Sequence, residues 1–144
     1  MTPPAERTLG VGIDLVETER MRNVLKRWEA AFLGRVFRDG EREYCDTQAA
    51  PWRHYAARFA VKEAVAKAFG TGIGTSAGWH DIEVRRDARS GAPGVRLHGK
   101  AAALARRRGV RRILVSISHS RAYAVAQAVL LGGGSAARAG RTAT

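Results

Sequence analysis

The sequence predicts an α+β fold, an antiparallel sheet with helices packed on one face, and three observations carry that reading. Strand and helix patterns follow in the order strand, several helices, two strands, helix, two strands. Repeated strand–helix–strand alternation is missing, which argues against a doubly wound parallel sheet. The last two strands are joined by a tight connection at His119 to Arg121. The 144 residues, 45% of them apolar, suit one folded domain with a modest core. That domain is read as residues 9–131, between an N-terminal extension of residues 1–8 and a low-complexity, disordered tail of residues 132–144.

Each element has a local cause. "TLGVGIDLVE" alternates as a strand: Leu9, Val11, Ile13 and Leu15 form one apolar face, and Gly10, Gly12, Asp14 and Val16 form the other. Thr18 is placed to cap a helix over "ERMRNVLKRWEAAF", with Met21, Val24, Leu25 and Trp28 as its apolar stripe. Its other face carries Arg20, Arg22, Lys26 and Arg27. "LGRVFRDGEREYCDTQ" reads as a short helical turn, a break at Gly40 and another helix. Pro51 suits the first position of a helix over residues 51–69, which Gly70, Gly72 and Gly74 end. "DIEVRRD" and "GVRLH" read as short strands around the turn "ARSGAPG". "GKAAALARRRG" is a helix ended by Gly109, and "VRRILVSIS" and "AYAVAQAVLL" are the final strands.

Composition narrows the function classes. The net charge of +12 attracts polyanions: nucleic acid, an acidic protein, or a phosphate-rich small molecule. Genomic composition bias toward arginine and alanine also produces such an excess, so charge alone does not choose the partner. The single cysteine, Cys45, excludes an internal disulfide framework, and the 4 histidines lack the close paired spacing of a structural zinc site. No apolar run approaches the roughly 20 residues that cross a bilayer. The polar "MTPPAERTLG" lacks a signal-peptide core, so a cytoplasmic location is expected.

Four groups of residues could carry chemistry. In "RFAVKEAVAKAF", Val61, Val65, Ala68 and Phe69 form a core stripe, with Glu63 and Lys67 on roughly the opposite side. Phe59, Ala66 and Gly70 share that side, so it is not an ordinary solvated face. The same spacing also serves an i,i+4 Glu–Lys pair worth only ~0.3 kcal/mol. "GTGIG", with Thr71, offers amides that can approach phosphate closely, but it follows a helix where a P-loop precedes one. A plain helix cap uses the same residues. Asp14, among glycines, has room for a metal or a phosphate, and equally for a local hydrogen bond or an arginine partner. Magnesium takes one or two carboxylates, with waters and phosphate oxygens, so Asp14 and Glu63 could form that sparse pair. "SISHS" sets His119 at a strand end, where it can contact phosphate, shuttle a proton or serve structure alone. No G-x-S-x-G elbow accompanies it.

Taken in order, "GVGIDLVE", "RFAVKEAVAKAFGTGIG", "DIEV", "SGAPGVRL" and "SISHSRAYAVAQAVL" resemble the holo-[acyl-carrier-protein] synthases. These are the short, single-domain 4′-phosphopantetheinyl transferases, and the resemblance covers residues 9–131. Its specific part is F-x-x-K-E-A-x-x-K-A, here Phe59 to Ala68, with an upstream G-x-D. The resemblance implies the 4′-phosphopantetheinyl transferase fold. It also implies transfer of phosphopantetheine from coenzyme A to a serine of an acidic apo acyl carrier protein of fatty-acid or polyketide synthesis. The other product would be adenosine 3′,5′-bisphosphate.

Carried over to this chain, the resemblance makes Asp14, Glu63 and Lys67 the catalytic set. Asp14 and Glu63 would bind magnesium, and Lys67 would neutralise the diphosphate. Glu63 is taken as the general base, directly or through a metal-bound water, with Asp14 as the alternative base. Arg58, Lys62, Gly70, Thr71, Gly72, Pro93 and His119 would contact coenzyme A, with Pro93 lining the adenine. The typical assembly is a homotrimer with sites between subunits, and Arg20 and Arg27 would dock the carrier, though a plain solvated face of an amphipathic helix carries the same residues. The "GWH" segment and both termini fall outside the recognised motifs. Two other readings compete. A nucleic-acid module is favoured by the charge and by "RRRGVRR", but it lacks stacking aromatics and a helix-turn-helix pattern. A family member that binds coenzyme A without transfer is opposed by the intact Asp14, Glu63 and Lys67.

Overall fold

The computed structural model describes residues 5–70 and 78–133. Thr71 and Gly72 of the glycine loop lie outside the described residues, as do residues 134–144 of the tail. Among the described residues nine regular elements follow one another: β1 (Arg7–Glu17), α1 (Thr18–Val36), α2 (Asp39–Asp46), α3 (Pro51–Phe69), β2 (Ile82–Arg86), β3 (Pro93–Leu97), α4 (Gly99–Arg107), β4 (Val110–His119) and β5 (Tyr123–Gly132). A 3-10 turn, Trp79–Asp81, precedes β2. Three strands form an antiparallel sheet in the order β1-β5-β4, and β2 and β3 form a separate hairpin. The fold is thus the expected α+β arrangement. β1 starts at Arg7, paired with Gly132, so the end of the extension and the start of the tail belong to the sheet.

The central element is α3. Pro51 opens it at a position whose N–H has no helical partner anyway, and Gly70 closes it at φ 77, a left-handed conformation that glycine adopts without a Cβ clash. Between them the helix is rich in alanine, so it stays slim and can be covered on several sides. Val61, Val65, Ala68 and Phe69 are buried as expected, but so are residues on other faces, from Tyr55 to Ala66.

The slim helix decides which face of β1 is buried. A Cβ on Gly12 would sit 1.9 Å from the Ala64 carbonyl oxygen, and one on Gly10 would sit 2.1 Å from that of Ala68. Only glycine permits the two backbones to meet so closely. The glycine side of β1 therefore faces the core. Val11, Ile13 and Leu15 are left on the outer face of the sheet, 56%, 60% and 59% exposed. Leu9 does not join them. A register shift between Thr8 and Gly10 separates it from the alternation, and it packs against the inner core.

Three smaller expectations are also corrected. Thr18 does not cap α1: the N-cap is Glu17, and the Thr18 hydroxyl donates instead to the Arg121 carbonyl, tying the helix start to the β4–β5 connection. The break lies at Phe37 rather than at Gly40, because Phe37 turns extended and packs edge-on against Tyr55 at 4.9 Å. Gly40 lies inside α2. Pro93 is the first residue of β3, not part of a turn, and it sits opposite Arg86, where the ladder tolerates a missing N–H.

Candidate active site

A groove of about 700 Å³ runs between the end of β1, α1 and α3. Asp14 and Glu63 both line it, with Arg20 and Tyr123. Asp14 reaches the groove because it lies on the inner, glycine-bearing face of β1. Its Oδ1 accepts from Lys67 Nζ at 2.8 Å, and the same ammonium donates to the Ile13 carbonyl at 3.2 Å. That hydrogen bond holds Lys67 above its ordinary pKa, so it stays cationic, and at 54% exposure its ammonium remains open to a ligand.

Glu63 projects from the same flank of α3, one turn before Lys67. Its Oε1 accepts the indole N–H of Trp79 at 3.0 Å, while the Trp79 ring lies 5.9 Å from that of Phe59. The "GWH" segment, which no motif explained, therefore supplies a donor to the central carboxylate. A tryptophan before a short strand is the only signal the sequence offered for it.

Lys62, expected among the ligand contacts, is instead fully buried and lines neither of the two cavities described. Its ammonium is bonded to Glu41 Oε1 at 2.9 Å, the Trp79 carbonyl at 2.9 Å and the Ile82 carbonyl at 2.5 Å. Burial lowers its pKa against the pull of Glu41. Glu41 also accepts the amides of Arg38 and Val84. Lys62 therefore anchors the Trp79 turn and β2 to α3, one residue from Glu63.

A second cavity, of about 250 Å³, gathers Arg58, Pro93 and His119 with Tyr44, His54, Arg85 and Arg86. It shares no lining residue with the Asp14 groove. Helical geometry gives the reason: Arg58 and Glu63 are five residues apart, about 140° around α3. Arg58 is only 7% exposed, its Nε is buried with no hydrogen-bond partner, and its guanidinium stacks 4.2 Å from the Tyr44 ring centre. An orphaned, buried cationic donor suits an anionic ligand. Gly70 lies at the far end of α3, beyond Lys67. Arg20 borders the Asp14 groove; Arg27, two helical turns on, is exposed beside the kink at Trp28 and does not line the groove.

Among the described residues no cluster of three or more His, Cys, Asp or Glu could hold a metal by itself. Asp14 and Glu63 instead present two hard carboxylates to one groove. That donor set fits magnesium when phosphate oxygens and waters complete the shell.

The carboxylate pair with its lysine and the arginine-lined cavity suit a class of protein that holds a phosphate-rich ligand. Comparisons with known proteins give the family. The family model for the 4′-phosphopantetheinyl transferase superfamily matches residues 10–128. A holo-[acyl-carrier-protein] synthase of Syntrophus aciditrophicus is 46% identical over 123 residues, 85% of this chain and 95% of that protein. The crystal structure of the synthase from Neisseria meningitidis superposes with a TM-score of 0.79 at 30% identity, covering 86% of this chain and 98% of that one. That of the Helicobacter pylori synthase in complex with coenzyme A gives 0.73 at 30% identity, covering 83% and 98%. The chain belongs to the 4′-phosphopantetheinyl transferase superfamily and, within it, to the holo-[acyl-carrier-protein] synthases.

Proposed function

We propose that this chain transfers 4′-phosphopantetheine from coenzyme A to a serine of an apo acyl carrier protein, releasing adenosine 3′,5′-bisphosphate, in a magnesium-dependent reaction. The observation that carries this reading is the groove that Asp14 and Glu63 share, with Lys67 bonded to Asp14 at its edge. Magnesium held by Asp14 and Glu63 would draw charge from the diphosphate of coenzyme A. Lys67, cationic and exposed, neutralises the same oxygens as charge builds on them. Glu63 takes the proton of the serine hydroxyl, directly or through a water, because Trp79 holds its other oxygen in place. The serine oxygen bonds to the phosphorus that carries pantetheine, and the diphosphate P–O bond breaks with its electron pair leaving on adenosine 3′,5′-bisphosphate.

Coenzyme A would need both sites: the acid pair at its diphosphate, and Arg58, Pro93 and His119 at its adenosine end. In one chain these lie on different flanks of α3. We infer that they come together between copies, in a homotrimer. The outer sheet face supports this, since Val11, Ile13, Leu15 and Leu114 would be buried by a neighbour. Arg20 and Arg27, seven residues apart and so on one face of α1, would receive an acidic helix of the carrier. The glycine loop after α3, with Thr71 and Gly72, completes the proposed coenzyme A contacts. No helix among the described residues is long and apolar enough to cross a membrane. A cytoplasmic location belongs with this proposal.

The test is the intact mass of an apo carrier protein incubated with this protein, coenzyme A and magnesium, beside an EDTA control. The expected result is a gain of one phosphopantetheine, lost with EDTA. No gain on either fatty-acid or polyketide carriers would overturn the reading.

A further inference from the structure

The cavity at Arg58 holds a residue that the transfer reaction has not yet used. His54 lies one helical turn before Arg58 on α3, its ring 6.3 Å from that of His119 at the end of β4 and 5.8 Å from that of Tyr44 on α2. Basic side chains surround it from the elements packed there: Arg53 and Arg58 on α3, Arg85 and Arg86 on β2, and His119 on β4. Arg58 and Arg86 both lie over the Tyr44 ring, at 4.2 and 5.8 Å. No carboxylate among the described residues lines the cavity. Such a cluster is self-repelling while empty and is relieved by a multivalent anion. A phosphate monoester, with up to two charges and three acceptor oxygens, matches it better than a carboxylate does.

Resting on the coenzyme A reading above, we propose that His54 is a further ligand-binding residue, which meets the phosphate on the adenosine end of coenzyme A in its protonated form, so that binding this end takes up a proton. Pro93 lines the same cavity. Arg58 and Pro93 line one cavity and Asp14 and Glu63 another, so with the diphosphate at the acid pair the phosphate left for Arg58 is the one borne by the ribose. In the unliganded chain, burial and the neighbouring Arg58, His119 and Arg53 keep the His54 imidazole neutral at a lowered pKa. A bound phosphate reverses the sign of that local field, so the proton joins His54 as the ligand docks. His54 thus adds a cation only when the phosphate is present, and it contributes to discrimination between coenzyme A and a form lacking that phosphate.

The test is calorimetry of the full-length protein with coenzyme A and with dephospho-coenzyme A at about pH 7, in two buffers of different ionisation enthalpy, which reads protons taken up per ligand. The wild type is expected to take up several tenths of a proton with coenzyme A and none with dephospho-coenzyme A, which binds about tenfold more weakly for want of charge-assisted bonds. His54→Gln is expected to lose the uptake and most of the discrimination. A second measurement does not depend on the variant's folding. Among the 4 histidine ring signals of the wild type by NMR, one is expected to move its titration to higher pH when adenosine 3′,5′-bisphosphate is added. Uptake that persists in His54→Gln but vanishes in His119→Gln would place the proton on His119 and overturn the proposal. Equal affinity for the two ligands without uptake would overturn it and leave the transfer reading standing. Failure to bind coenzyme A at all would overturn both.

Discussion

Trp79 donates its indole N–H to Oε1 of Glu63 at 3.0 Å, and Lys62 holds the carbonyl of the same tryptophan at 2.9 Å. The central carboxylate is therefore aimed by a turn that a buried lysine fixes to the same helix. Trp79→Phe keeps the ring beside Phe59 and removes only the donor. It is expected to lower kcat about tenfold while KM for coenzyme A stays within about twofold, the loss matching one hydrogen bond to a charged group. Steady-state kinetics check this. An unchanged kcat would mean that the bond does not position Glu63.

Glu63→Gln removes the proposed base and one proposed metal ligand while keeping the side chain's shape. Transfer should fall at least about a hundredfold, with circular dichroism and Tm close to wild type. Asp14→Asn should raise the magnesium concentration needed for half-maximal rate. An unchanged magnesium titration would remove Asp14 from the metal site.

Gly12 lies against α3 with no room for a methyl group: a Cβ there meets the Ala64 oxygen at 1.9 Å. Neither partner is a flexible side chain, so β1 or α3 must shift. Gly12→Ala is expected to cost about 3 kcal/mol or more and to lower Tm accordingly, with activity falling because Asp14 lies two residues further along the displaced strand.

His54 gives a pH dependence with a definite sign. Its folded-state pKa is lowered from 6.5, first by burial and then by Arg58, His119 and Arg53. Between the folded value and 6.5, the unfolded chain holds more protons on this group than the folded chain does. The stability tied to a neutral His54 is thus intact above about pH 6.5 and is lost as pH falls toward the lowered value. Thermal melts across that window should show the wild type losing stability more steeply than His54→Gln. Parallel curves would assign the acid sensitivity to other groups.

The outer sheet face predicts assembly. Ile13, 60% exposed, sits between Val11 and Leu15. Ile13→Asp points away from α3 and should leave the fold intact, but it should shift the sedimenting species to the monomer. If the sites form between copies, transfer should fall about a hundredfold with it, as misplacement of the two halves would require. A variant that is monomeric and fully active would refute the interfacial site.

What was legible in the sequence was local. Pro51 and Gly70 bounded α3 because their constraints act within a residue or two, and β4 and β5 were legible from their pattern and tight connection. The Phe59–Ala68 motif named the family, and Asp14, Glu63 and Lys67 could be picked out before any geometry was known. What only the tertiary structure decided were relations between elements. Alternation in β1 told that it has two faces but not which is buried; the answer came from the alanine-lined backbone of α3, some 50 residues away, which admits glycine and excludes Val11 and Ile13. Lys62 sits inside the family motif, yet Glu41 and two carbonyls take up its ammonium, and none of the three is adjacent to it in sequence. Trp79 and His54 carried no motif, because their meaning lies in what they face. Periodicity and caps follow from the chain's own dihedrals and can be read residue by residue. A buried pair or a shared cavity depends on which distant surfaces meet, and packing alone settles that.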